Sequence, residues 1–170
     1  MMCMKKLFIP WVSLFLFFGG CSLRQYQTSE PKLIVLKTKK LKFSDTGYVR
    51  SAGDAVEVEL FSAGQAAGRI SIDRLVCVDN EGCLNKGAFN AEYLSRYYPD
   101  AIMQHILLGK PIFGRQSLRR SMEGFEQRIE NREVDITYRV GGGEIYFKDR
   151  KNRILIKIKT IAAQKQKGKQ

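Results

Sequence analysis

The side chains able to do chemistry in this chain are few: one histidine, His105, and four cysteines, Cys3, Cys21, Cys77 and Cys83. A single imidazole leaves no histidine pair, no HExxH helix and no His-rich zinc site. His105 lies between Gln104 and Ile106 in a stretch of helical spacing, where it reads as a partly exposed or capping side chain. A catalytic triad needs a nucleophile and an orienting acid around such a histidine, and no GxSxG is present. Cys77 and Cys83 stand at C-x5-C, without the CxxC spacing of a redox pair and without further metal ligands nearby. Gly141-Gly142-Gly143 is followed by Glu144 rather than Lys-Ser/Thr, so it reads as a hairpin turn and not as a phosphate loop. Neither enzymatic activity nor a cofactor is expected from these residues.

The N-terminus assigns two of the cysteines. Lys5 and Lys6 precede an uncharged run from Leu7 to Phe18. As a helix that run spans only ~18 Å against a hydrocarbon core of ~30 Å, so it fits the h-region of a secretory signal peptide. Gly19-Gly20-Cys21 follows and resembles the bacterial lipobox, with Phe18 where that pattern usually has Leu. The resemblance implies a lipoprotein signal peptide over 1–20, loss of Cys3 with it, and a diacylglycerol on the Cys21 thiol. One acyl chain holds a protein marginally and two hold it stably, so the implied anchor is firm. Ser22 stands where an Asp would mark inner-membrane retention in the enterobacterial pattern. That implies an outer-membrane address with the protein facing the periplasm. Export also puts Cys77 and Cys83 in an oxidising compartment. They flank Asn80 symmetrically in a hairpin signal, and opposed hairpin residues lie ~4.5–5.5 Å apart at Cα, within disulfide range. A structural Cys77–Cys83 disulfide is predicted.

The chain has 170 residues, 44% of them hydrophobic, which suggests one domain with a sizeable core. Its 29 Lys+Arg against 17 Asp+Glu make it strongly basic. Lys37, Lys39, Lys40 and Lys42 form one group, Arg115, Arg119 and Arg120 a second, Lys148, Arg150, Lys151 and Arg153 a third, and the tail a fourth. On an exported protein such groups suit anionic lipid head groups or a solvated surface, and nucleic acid is not an expected partner.

Residues 21–32 are polar and read as a tether, and 162–170 as a disordered basic tail. Between them, 33–161 reads as a single domain. Residues 41–43 and 48–50 read as short strands around a turn at Asp45-Thr46-Gly47. Val56, Val58 and Leu60 alternate with Glu57 and Glu59, and Ile70 and Ile72 continue the pattern after a turn. Phe89, Tyr93 and Leu94 have helical spacing over 89–96. A second helix with Asp100 as candidate N-cap carries Ile102, Ile106 and Leu107 on one face and ends at Gly109 and Pro111. Ile136 and Tyr138, then Ile145 and Phe147, then Ile156 and Ile158 make an antiparallel meander with one apolar face. The predicted fold is α+β: a curved antiparallel sheet, a half-barrel, wrapped over two or three short helices.

A lipobox, a strand ending in a Gly64-Gln65 turn, a helix running Asp100-Ala101-Ile102-Met103-Gln104-His105-Ile106-Leu107-Leu108-Gly109-Lys110-Pro111 and closing strands ending Lys157-Ile158-Lys159 together resemble the LolB family of outer-membrane lipoprotein-localisation receptors. The resemblance covers about residues 40 to 161 in order of elements. It implies a cavity between concave sheet and helices that holds lipid or lipoprotein acyl chains, with a periplasmic carrier protein as partner. By position, Val56, Val58, Leu60, Ile70, Ile136, Tyr138, Ile145, Phe147, Ile156 and Ile158 would line it. An ordinary packed core would use the same residues. In place of the family's exposed Leu loop, the turn from Ser62 to Ala67 offers only Ala63, Ala66 and Ala67, whose methyls bury too little to insert strongly. Two functions are therefore expected side by side: a lipid- or lipoprotein-binding module, and a structural or assembly lipoprotein that binds an envelope protein without a cavity.

Overall fold

The computed structural model describes residues 30–161. The signal segment, Cys21, the greater part of the expected tether and the basic tail lie outside the described residues. Eleven strands and two helices follow in order: β1 (Pro31–Lys37), β2 (Lys42–Ala52), β3 (Ala55–Ser62), β4 (Gln65–Ile72), β5 (Leu75–Val78), β6 (Gly82–Asn85), α1 (Lys86–Tyr93), α2 (Ile102–Leu107), a 3-10 turn (Phe113–Arg115), β7 (Leu118–Ser121), β8 (Gly124–Glu130), β9 (Asp135–Gly141), β10 (Glu144–Asp149) and β11 (Ile154–Thr160). All strands join one antiparallel sheet in the order β6-β5-β4-β3-β2-β1-β11-β10-β9-β8-β7. The fold is mostly β, with an open sheet and two short helices.

Topology decides where the helices go. The first and last strands, β1 and β11, pair at the centre of the sheet, with Ile34 opposite Ile158 and Leu36 opposite Ile156. The two meanders therefore end at opposite edges, β6 and β7, and the helical segment must cross one face of the sheet to join them. In a flat sheet β3 and β10, four spacings apart, would be separated by roughly 19 Å, more than the ~10–12 Å width of a helix. Since α2 touches both β3 and β10, the sheet curves around it, as twisted sheets do. The apolar residues of the inner face, among them Val58, Ile70, Ile136 and Phe147, pack there against Phe89, Leu94, Ile102 and Ile106, all essentially without exposure.

Several local expectations change. Residues 42–52 form one continuous strand, with no turn at Asp45-Thr46-Gly47. The Asp45 carboxylate accepts from the Thr46 N–H at 2.7 Å and the Ala63 N–H at 3.2 Å, so this polar run stays extended. Gly47 is needed because a Cβ there would lie 2.5 Å from the Glu59 carbonyl oxygen and 2.7 Å from Ile34 Cδ1. Pro31 and Lys32, expected in the tether, already belong to β1. Helix α1 starts earlier than its apolar spacing suggests, because Asn85 caps it by accepting from the Ala88 N–H. Asp100 does not cap α2, whose N-cap position is Ala101 without a side-chain bond.

The hairpins follow their turn chemistry. Ala63 and Gly64 (φ 50° and 79°) and Gly142 and Gly143 (φ 57° and 72°) supply the paired left-handed residues of tight two-residue connections. Cys77 stands directly opposite Cys83, and the two form the predicted disulfide, with Cα atoms 4.0 Å apart. It closes the β5–β6 hairpin at one sheet edge, where a short cross-linked strand resists pairing with other chains.

Candidate functional site

Nine of the ten residues expected to line a cavity face the helices, and eight of those have 2% exposure or less; Leu60 has 8%. Val56, Val58, Leu60, Ile70, Ile136, Tyr138, Phe147, Ile156 and Ile158 form one cluster with the helix residues. At the centre of the concave face, helix and aromatic side chains occupy the space an acyl chain would need. Tyr98 packs edge-on against both Phe113 and Phe147, and Tyr138 against Phe125 and Phe147.

Polar bonds pin the crossing segment to the sheet. The Tyr98 hydroxyl donates to buried Asp149 at 2.7 Å, and the Tyr138 hydroxyl donates to the Lys110 carbonyl at 3.0 Å. Gln127, with no exposure, substitutes for a strand neighbour: it accepts from the Ile112 N–H and donates to the carbonyls of Ile112 and Gln116. Gln104 donates to the Asp54 carbonyl, and Lys110 pairs with the Asp54 carboxylate at 2.8 Å, holding that carboxyl below its ordinary range. Burial raises the phenols of Tyr98 and Tyr138 above their ordinary range, and for Tyr98 the Asp149 carboxylate adds to it. Both hydroxyls stay protonated donors at neutral pH.

The tenth residue, Ile145, faces the same way opposite Ile158 and is half-buried at the margin of the cluster. With Val49, Leu107, Val140 and Ile158 it lines an open pocket of about 330 Å³ at one end of the curved sheet, whose rim carries Lys32, Glu123, Gly141–Gly143, Glu144 and Thr160. That volume is at the lower end of ligand pockets, ~300–1,000 Å³. Gly109, at φ 63° just after α2, packs close behind two of its lining residues: a Cβ there would stand 3.3 Å from Val140 and 3.6 Å from Ile145.

Beside this mouth, sharing Glu123, Val140, Gly141, Gly142 and Glu144 with it, is a polar shelf of about 560 Å³. Arg119, Arg120, Arg139 and Lys159 line it with Glu123, Glu126 and Glu144. The Arg139 guanidinium lies 4.7 Å over the Tyr146 ring, which fixes its direction. An apolar slot opening onto a charged shelf is the geometry an amphiphile needs.

Sequence reasoning found Ile145 and Ile158 of this mouth and missed Val49, Leu107 and Val140. Leu107 and Val140 carried the right periodicity, and Gly109 and Gly141–Gly143 marked the ends of their elements, but nothing local shows that those two ends meet. His105 lies half-buried in the last turn of α2, and its carbonyl accepts from the Lys110 N–H. Among the described residues no group of three or more His, Cys, Asp or Glu is placed to hold a metal ion, and no helix is long and apolar enough to cross a membrane. No family model, curated protein or solved structure matches this chain.

Proposed function

We propose that this chain is a non-enzymatic lipoprotein, anchored through Cys21 in the outer membrane and facing the periplasm, that binds an apolar chain of a lipid or of another lipoprotein, as the LolB-like order of elements implies. The observation that carries the reading is the apolar mouth of about 330 Å³ opening onto the charged shelf. Hydrocarbon buried against Val49, Leu107, Val140, Ile145 and Ile158 gains roughly 25 cal/mol per Å² removed from water, while the shelf leaves a polar head hydrated. Lys32 and Thr160, near the two ends of the described residues, both stand on the rim, so the described domain begins and ends beside the mouth. A longer chain would have to displace helix side chains from the core.

The solid centre favours a second reading, a structural or assembly lipoprotein that binds an envelope protein and carries no lipid. A chain beginning at Ser22 retains every described element and allows the comparison. Val140→Phe and Ile145→Phe fill the mouth and should abolish binding of a fluorescent fatty-acid probe with little change in melting temperature. Val58→Phe and Ile136→Phe enter space already filled and should cost about 1–3 kcal/mol of stability. If the unaltered chain binds no probe, the lipid reading fails and the partner-binding one replaces it. In the intact protein, Cys21→Ala should end fatty-acid labelling and membrane retention.

A further inference from the structure

At the end of the sheet opposite the mouth, two turns bring three cations to one groove. Strand β1 runs from Lys32 on the mouth to Lys37, roughly 17 Å away at strand rise. There Lys37, Lys42 and Arg153, with Thr38, Phe43 and Ser44, line an open groove of about 500 Å³. No carboxylate lines it, and among the described residues none of the three cations has a carboxylate partner within ion-pair distance.

The arrangement works against folding. Lys37 and Lys42 are direct cross-strand partners, and like charges directly opposite each other destabilise a sheet. Arg153 holds φ 57°, a left-handed conformation that a non-glycine side chain rarely adopts. Both turns are nevertheless firmly set. Thr38 donates its N–H to the Leu41 carbonyl and accepts from the Leu41 N–H on its hydroxyl, each near 3 Å, which closes the β1–β2 turn. Buried Asp149 accepts from the N–H groups of Lys151 and Asn152, which shapes the β10–β11 turn beneath Arg153. Of the neighbouring cations, Lys40 pairs with Glu92 and Arg150 with Asp135, and Lys151 donates to the Asn131 carbonyl; what sets Lys37, Lys42 and Arg153 apart is that they line one groove together with no carboxylate in its lining.

We propose that this groove is a phosphate-binding site, with the Arg153 fork taking two phosphate oxygens and Lys37 and Lys42 supplying point charges. The proposal is independent of the lipid reading, because the mouth and the groove share no residue. The phosphate is that of a lipid head group or a free phosphate, and the two probes below separate these sources.

The test uses the full chain in nonionic detergent, titrated calorimetrically with inorganic phosphate and with dihexanoyl phosphatidic acid at low salt. Binding by the unaltered protein should weaken at least tenfold in Lys37→Gln/Lys42→Gln/Arg153→Gln. It should stay within twofold in Arg74→Gln/Arg96→Gln/Arg128→Gln, which removes equal charge from exposed positions elsewhere. Binding of phosphatidic acid alone identifies a lipid head group, and equal binding of both identifies phosphate itself. Failure of both probes to bind, or equal loss in the two triple variants, overturns the site. Lys42→Gln alone, without ligand, should melt no lower than the unaltered chain because it relieves the opposed charges; a lower melting temperature would make Lys42 a structural cation and also overturn it.

Discussion

Asp149 is the residue on which the crossing segment and the β10–β11 turn both depend, and its replacement by Asn has a calculable cost. The carboxylate is fully buried and accepts from five donors. Oδ1 takes the backbone N–H groups of Asp135 (3.2 Å), Lys151 (2.9 Å) and Asn152 (3.2 Å), and Oδ2 takes the Tyr98 hydroxyl (2.7 Å) and Asn152 Nδ2 (2.8 Å). Bonds to a charged acceptor are worth about 1.5–3 kcal/mol and neutral ones about 0.5–1.5 kcal/mol. The substituted amide would keep one oxygen for the three backbone donors, each bond now weaker. Its nitrogen would face Tyr98, whose hydroxyl can turn to accept, and Asn152, which cannot without flipping. One charge-assisted bond lost and the others weakened set a cost of at least about 3 kcal/mol. Tyr98→Phe removes a single donor and should cost about 1.5 kcal/mol. With a urea m-value of ~2 kcal/mol/M, Asp149→Asn should lower the unfolding midpoint by at least about 1.5 M, and Tyr98→Phe by about half that. Hydrogen exchange should quicken at the Lys151 and Asn152 amides. An Asp149→Asn cost under about 0.5 kcal/mol, the floor for a single neutral bond, or one smaller than that of Tyr98→Phe, would refute the assignment of this carboxylate as the shared anchor.

Three further outcomes are expected. Reducing Cys77–Cys83 should cost about 2 kcal/mol in urea unfolding, because the closed loop is short, and both thiols should resist alkylation until reductant is added. Gly47→Ala would push a methyl against the Glu59 carbonyl, a backbone atom that cannot rotate away; a loss of about 1–3 kcal/mol is expected, and an unchanged melting temperature would contradict the close approach of β2 to β3. Tyr93 donates to the Glu81 carboxylate, which together with burial holds its phenol up at about 12. Since the folded value lies above the unfolded one, near 10, its contribution is complete below about pH 10 and lost as pH rises through about 12; Tyr93→Phe should flatten that part of the stability curve, and an identical curve would show that the bond contributes nothing.

Much of the architecture was legible in the chain itself. Alternation at Val56–Val58–Leu60, Ile136–Tyr138 and Ile154–Ile156–Ile158 is a local property, because a strand points successive side chains to opposite faces. The hairpin at Asn80 was equally local, and with it the disulfide, since register around a short turn sets which residues oppose. The turn misread at Asp45-Thr46-Gly47 shows the limit. Those residue types suit a turn, and pairing with β1 and β3, together with the Ala63 amide that completes the coordination of Asp45, keeps them extended, while the Glu59 carbonyl leaves room only for glycine at 47.

By itself, the sequence determined the strands, their inward faces, the cross-linked hairpin and the lipobox-like start. The tertiary structure decided whether those inward faces meet a cavity or a core. That depends on pairing β1 with β11, which sends the helical segment across the sheet and drives Phe89, Leu94, Ile102 and Ile106 into its centre. The same pairing leaves the mouth at Val49, Val140 and Ile145, and the groove at Lys37, Lys42 and Arg153, as places where residues far apart in the chain converge. Periodicity fixes which face a side chain occupies, but only the closure of distant segments fixes what stands opposite it.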